Sequence, residues 1–141
     1  AGGGDVGLTP TVGDPLVDPH LLERIAYLRG KPAIRSIHMF SNMILLNRIG
    51  ADALARSGLT QLTVSMSGFD DAMYRRVYRS KMYPRVIENV KAFARANAAA
   101  GRPVKYVLDL RVDGEGPVRK YAPAPEFPIA APAHQRLHRD V

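Results

Sequence analysis

The stretch QLTVSMSGFDDAMYRRVYRSKMYPRVIENVKAFARANAAAG, residues 61–101, decides the fold. Its opening, Gln61 to Met66, is rich in β-formers and reads as a strand. Asp70 or Asp71 is placed to cap a helix that Pro84 interrupts. A second helical piece runs from Pro84 to about Ala100 and stops at Gly101. Val86, Val90 and Phe93 make its apolar stripe, with Ile87 and Ala94 beside it. Directly after comes VKYVLDLRV, Val104 to Val112, another strand. Strand, helix and strand at this spacing form a βα unit whose strands must run parallel.

Outward from this unit the pattern repeats. Ile34 to Phe40 is a strand, followed by a helix from about Asn47 to Ser57 that stops at Gly58. Upstream, Val6 to Val12 reads as a strand ending in the turn Gly13-Asp14-Pro15. A helix from Pro19 to Arg29 follows, with Asp18 as N-cap, Gly30 as stop and Leu21, Ile25 and Leu28 on one face. Four strands centred near residues 9, 37, 64 and 108 therefore alternate with helices. The fold class is α/β: a partial TIM-type barrel fragment of about four mostly parallel strands, with helices over one or both faces. Residues 1–113 are read as this core. The stretch 114–141 holds 5 of the 11 prolines and shows no period, so it is read as a poorly ordered tail or linker.

The first seven residues, AGGGDVG, are glycine-rich and read as mobile or as a lead-in to a strand. They spell GxGxxG at Gly2, Gly4 and Gly7, but nothing precedes them and no helix follows, so no dinucleotide site is assigned. Across 141 residues there is no cysteine, which excludes disulfides, thiol nucleophiles and thiolate-held metal within this chain. Lys and Arg outnumber Asp and Glu by 20 to 13, a formal +7. Such a balance permits acidic partners without selecting one. No apolar run is long enough to span a membrane and no signal peptide is visible, so a cytoplasmic location is expected.

In parallel β/α architectures ligands bind at the carboxyl ends of strands. Those ends carry Gly13 and Asp14, then Ser41 and Asn42, then Ser65, Ser67 and Gly68, and finally Asp109, Arg111 and Asp113. A carboxylate can take an ammonium, a guanidinium a carboxylate, and hydroxyls a ribose. Taken singly, each has a structural reading as well: Gly-Asp-Pro as a turn, Asn42 as a cap, Ser67-Gly68 as loop chemistry.

Three segments carry a family resemblance. LTPTVGDPLVDPHLLERI, residues 8–25, resembles the second β/α unit of radical S-adenosylmethionine (radical SAM) enzymes, where a GGEP-type turn precedes a helix. FSNMILL, residues 40–46, resembles the family's TNG-x-LL after its third strand. Residues 62–93 resemble its V-S-L-D-G…Y…R run and following helix. The resemblance covers about residues 8 to 112. It implies that Gly13 and Asp14 stand where the family binds the methionyl amine of SAM, although the first glycine is replaced by Val12 and the acid is one methylene shorter. Asn42 would line the pocket, Ser65 and Ser67 would meet the ribose, and Arg111 is a candidate for the SAM carboxylate. It also implies a [4Fe-4S] cluster held by a CxxxCxxC loop, which this chain does not contain. By order of elements that loop is expected upstream of Ala1. The function implied is the SAM-binding portion of an enzyme that cleaves SAM reductively to a 5′-deoxyadenosyl radical, inert without cluster cysteines. Its expected partner is the missing cluster segment or another chain, with self-association through exposed sheet edges.

The alternative is a non-catalytic basic module that binds nucleic acid or a protein. Its signal is YRRVYRSKMYPR, residues 74–85, three tyrosines among five cations. The competing structural reading, a solvated helix face with tyrosines packed on the sheet, is preferred because the family resemblance runs through the same segment. His134 and His138 stand four apart but have no third ligand near, and no metal site is assigned to them.

Overall fold

The computed structural model describes residues 3–112 and 118–123. One five-stranded sheet holds β1 (Gly4–Gly7), β2 (Ile34–Ser41), β3 (Gln61–Ser67), β4 (Lys105–Val112) and β5 (Val118–Pro123), in that spatial order. The first four run parallel and β5 returns antiparallel to β4. The connections hold α1 (Leu21–Arg29), the short α2 (Leu46–Ile49) and α3 (Ala51–Ala55), then α4 (Asp71–Tyr78) and α5 (Tyr83–Ala99).

Strand order decides the architecture. Successive parallel strands that lie side by side in sequence order, each reached by a right-handed crossover, place every helix on the same face. That is the winding of a barrel, whereas a doubly wound sheet reverses its order part-way. The choice between one covered face and two is thereby settled as one. Alternation within the strands agrees. Ile37, Met39, Leu62, Val64, Met66, Tyr106, Leu108 and Leu110 share one core with Leu21, Ile25, Val86, Val90 and Phe93 of the helices. Phe93 meets Tyr106 edge-on, with ring centroids 4.9 Å apart. Burying Val86, Val90 and Phe93 supplies about 1.5–3 kcal/mol each. The opposite face carries Ser36, His38, Gln61, Thr63, Ser65, Lys105, Asp109 and Arg111, in the register His38–Gln61–Lys105 and Ser65–Asp109.

Local signals hold at several joints. Asp70 caps α4 through Met73 N, and Pro84 opens α5 instead of breaking it. Others are corrected. The first strand is Gly4–Gly7 within the glycine-rich lead, not Val6 to Val12. Glycine permits it: a Cβ at position 3 would sit 2.8 Å from the Ala33 carbonyl, and one at position 7 would sit 3.0 Å from the His38 ring. Beyond Gly7 one more backbone bond runs from Leu8 N to the His38 carbonyl at 2.8 Å, and then Thr9 Oγ1 accepts from Phe40 N at 2.9 Å. Asp18 does not cap α1. Its Oδ1 takes His20 N in the turn before the helix, and Oδ2 takes Arg24 Nε. The expected helix from Asn47 to Ser57 is two pieces, broken at Gly50, whose φ of +91° no helix accepts. The stretch assigned to the tail contains β5, while residues 113–117 and 124–141 lie outside the described residues.

Candidate functional site at the carboxyl ends of the strands

Asp14 organises the first part of the site. It sits in extended conformation ahead of the 3-10 turn Pro15–Val17, and its Oδ1 accepts from Leu16 N at 2.9 Å. The same carboxylate reaches the end of β2, where Ser41 Oγ lies 3.0 and 3.1 Å from its two oxygens. Asn42 N donates to Oδ2 at 2.7 Å. Ser41 in turn accepts from Met43 N at 2.9 Å, and Asn42 Oδ1 accepts from Ile44 N at 3.0 Å. One carboxylate thus ties two strand-end loops together. Gly13, exposed with a φ of +104°, lines a groove of about 590 Å³ with Leu8, Thr9, Val12, Asp14 and Arg24.

The second part lies on β3 and β4. Ser65 is half-buried and stands in register with Asp109, and Ser67 stands in register with Arg111. Ser67 is buried, and its hydroxyl meets the Tyr78 hydroxyl of α4 at 3.2 Å. Arg111 is exposed, and its carbonyl accepts from Gly68 N at 2.9 Å. Asp109 is 3% exposed, and its Oδ1 has no hydrogen-bond partner. Burial of an unpaired acceptor is costly, so this carboxylate keeps an open hydrogen-bonding position on the polar face of the sheet.

The structure therefore brings Asp14 and Asn42 together in one network, and Ser65, Ser67 and Arg111 together on neighbouring strands. No described hydrogen bond joins the two groups. Ser41 and Asp109, which the sequence places at strand ends without a specific role, complete the picture with Tyr78, which it does not place there. An acid inside the apolar run VLDL was a visible signal for Asp109. The Asp14–Ser41 tie spans 27 residues and had none.

The tyrosine-rich segment is built mostly into the fold. Tyr74 is buried against Tyr78 and Tyr83, with centroids 4.7 and 5.6 Å away. Tyr83 donates its hydroxyl to the Phe69 carbonyl. Burial raises the pKa of both Tyr74 and Tyr83, assisted by Tyr78 in the first case and by Asp70 and Asp71 in the second. His134 and His138 lie outside the described residues, among which no cluster of metal-ligating side chains occurs.

Residues 2–108 match the family model of the radical SAM superfamily. The chain belongs to that superfamily. It is 33% identical over 82 residues to a GTP 3',8-cyclase of Petrotoga mobilis, covering 58% of this chain and 25% of that protein. A GTP 3',8-cyclase of Rhodococcus opacus is 34% identical over 89 residues, covering 63% and 25%. One from Thermodesulfovibrio yellowstonii is 30% identical over 127 residues, covering 85% and 37%. The chain thus spans between a quarter and two-fifths of the length of these curated relatives.

Membership in the radical SAM superfamily implies two groups, and the residues suit them unequally. A [4Fe-4S] cluster needs thiolates, and none of the 141 residues is cysteine, so this chain supplies no ligand of that kind. For SAM the donor set is suitable. The buried Asp109 oxygen is an acceptor without a donor, Arg111 is an exposed guanidinium, and Ser65 is a half-buried hydroxyl. Among the described residues no helix is long and apolar enough to cross a membrane.

Proposed function

We propose that this chain is the SAM-holding portion of a radical SAM enzyme and is inert alone in reductive SAM cleavage. The observation that carries this reading is the sheet itself. Parallel strands wound in barrel order leave one polar face, and polar side chains gather at its carboxyl rim. Arg111 holds the methionyl carboxylate of SAM, while Ser65 and Ser67 face the ribose. Two carboxylate oxygens offer about four acceptor positions, so Asp14, with three donors of its own chain, keeps room for the methionyl ammonium beside Gly13. Asn42 lines the same mouth. Its Oδ1 is used in the loop, which leaves its amide N–H groups to the ligand.

The cluster that would complete the enzyme comes from thiolates outside this chain. When bound it would supply the electron that cleaves SAM; the residues here bind and orient. We place its segment, or a partner chain carrying it, against β1. That strand is the free parallel edge of the sheet, flanked by exposed Val12, Val17 and Tyr27. Without that segment the same edge favours self-association. A cytoplasmic site of action belongs to this reading, as does a purine nucleotide substrate for the completed enzyme, taken from the names of its relatives.

Calorimetric titration of the chain with SAM tests the proposal. Binding is expected, weakened about tenfold by Arg111→Gln through loss of a charge-assisted pair. Anaerobic incubation with SAM and dithionite is expected to release no 5′-deoxyadenosine. A folded chain that gives no heat at roughly millimolar SAM sinks the reading.

A further inference from the structure

Asparagine is a poor interior helix residue, because its amide competes for backbone groups. Helix α5 nevertheless carries Asn89 and Asn97, about 12 Å apart along its axis. Both use their amides outside the helix, at opposite ends of the sheet. Asn97 brackets Val104 with Nδ2 and Oδ1 together, which is a fastening. Asn89 acts as a donor: its Nδ2 reaches the Met43 carbonyl at 2.7 Å and the Ile44 carbonyl at 3.3 Å, in the loop after β2.

Its nearer partner belongs to a peptide group with a second role. The Met43 carbonyl and the Ile44 N–H are parts of one planar unit and point in opposite directions. Asn89 holds the carbonyl, and the N–H donates to Asn42 Oδ1 at 3.0 Å. Fixing one end of that plane fixes the other. Both amide orientations follow from their neighbours, since a carbonyl needs the NH2 group and an N–H needs the oxygen. Asn89 thereby decides which way Asn42 turns its own NH2 group, the half of that side chain that bonds to no described residue.

This plane needs a hold. Met43 has a φ of +62°, in the left-handed region that most side chains avoid, and it is fully buried. Such a conformation persists where its surroundings over-determine it. Ser41 Oγ takes Met43 N on one side, and Asn89 takes the carbonyl on the other. Simple fastening of the loop is already supplied elsewhere. Asn42 N donates to Asp14, and Arg85 of α5 donates to Asn47 Oδ1 at 2.7 Å.

We propose that Asn89 is a positioning residue of the strand-end site, aiming the Asn42 amide at the ligand through the Met43–Ile44 peptide. The inference rests on Asn42 facing the ligand. It adds a residue of α5, one βα unit away from the loop that it sets.

A double-mutant cycle on the full 141-residue chain, read by calorimetric titration with SAM, tests the proposal. Asn89→Leu keeps the size of the side chain and removes the donor. It is expected to weaken SAM about fivefold, as is Asn42→Ala, each the effect of one neutral hydrogen bond. Because the first acts through the second, the double variant should also lose about fivefold, not the roughly 25-fold of independent effects. Asn89→Gln retains an NH2 group and should recover part of the loss, and Asn89→Ala repeats the cycle without apolar bulk. Asn97→Ala cuts a tie of the same helix at the far end and should leave the affinity of the folded chain within about twofold. In nitrogen–proton correlation spectra without ligand, the Asn42 NH2 pair should shift in Asn89→Leu and stay in place in Asn97→Ala. Independent losses in the cycle, equal losses in Asn89→Leu and Asn97→Ala, or an unmoved Asn42 pair overturn the proposal. A chain that binds no SAM while the Asn42 pair still moves removes the SAM reading and leaves Asn89 as the group that aims Asn42. A chain that binds SAM with the pair unmoved removes only the role of Asn89.

Discussion

The carboxylate of Asp14 and the hydroxyl of Ser41 are hydrogen-bonded across 27 residues of chain, at 3.0 Å to one oxygen and 3.1 Å to the other. Since the same two oxygens take Leu16 N and Asn42 N, each faces a backbone N–H. An amide in place of the carboxylate would turn its NH2 toward one of those donors. Asp14→Asn is therefore expected to destabilise nearly as much as Asp14→Ala, by about 1–3 kcal/mol. Ser41→Ala should cost less, because it orphans one backbone donor, Met43 N, while Leu16 N and Asn42 N keep the Asp14 carboxylate. Urea unfolding of the three variants checks the order.

Glycines at the rim differ in what constrains them. Gly13 and Gly68 both have positive φ, +104° and +87°. A Cβ at Gly13 meets nothing within 4 Å, whereas one at Gly68 falls 2.8 Å from Met73 Cβ and 3.1 Å from Tyr74 N. Gly13→Ala should cost only the conformational penalty of about 1–2 kcal/mol. Gly68→Ala adds a collision with the first turn of α4 and should cost clearly more. It should also disturb the Ser67–Tyr78 contact, while Gly13→Ala leaves it intact. Thermal melts rank the pair, and tyrosine resonances report the contact.

Alkaline pH should unfold this chain through its tyrosines. Burial raises the pKa of Tyr106, with smaller upward shifts at Tyr74 and Tyr83. A raised folded-state pKa means that the folded chain holds its proton longer than the unfolded chain. The stability is therefore complete below the unfolded value, about 10, and is lost as pH rises above it. Absorbance at alkaline pH should show these three of the six tyrosines ionising late and together with loss of structure. Tyr106→Phe gives up only a 3.3 Å contact to the Val90 carbonyl and should blunt the alkaline loss.

The parts of the fold legible in the sequence were those written in local chemistry. Asp70, Pro84 and Gly101 mark helix ends through capping, a fixed φ and a φ of +84°, all properties of one residue and its neighbours. The Val86–Val90–Phe93 stripe named the face of α5 that meets the sheet. What stayed hidden depends on partners distant in sequence. Gly4–Gly7 has little strand propensity and becomes β1 because Ser36 bonds Asp5 at 2.8 Å and β2 closes on its bare backbone. In β5, Val118 to Pro123 pairs with β4 amid prolines that conceal it. At the site, residue types at strand ends were readable, since alternation gives the ends. Which of them touch was not, and so Asn42 could be placed but the bond of its backbone N–H to Asp14, 28 residues away, could not.

Asn97 braces the far end of the sheet, and its chemistry yields a variant with a pH signature. Buried at 6% exposure, its Nδ2 donates to the Val104 carbonyl at 2.9 Å and its Oδ1 accepts from Val104 N at 3.1 Å. The pair fastens α5 to the residue before β4. Asn97→Ala leaves both backbone groups buried without partners and should cost about 2–3 kcal/mol. Asn97→Asp keeps the acceptor but sets an anionic oxygen against the Val104 carbonyl. Burial and that carbonyl both favour the protonated acid, so its folded-state pKa lies above the unfolded value of about 3.9. The contribution of the protonated acid is then complete below that value and lost as pH rises. Relative to Asn97→Ala, Asn97→Asp should be the less stable variant near neutral pH and should regain ground as pH falls toward 4. Urea midpoints at the two pH values decide it, and parallel behaviour of the two variants would show that the Val104 bracket does not hold this end of the sheet.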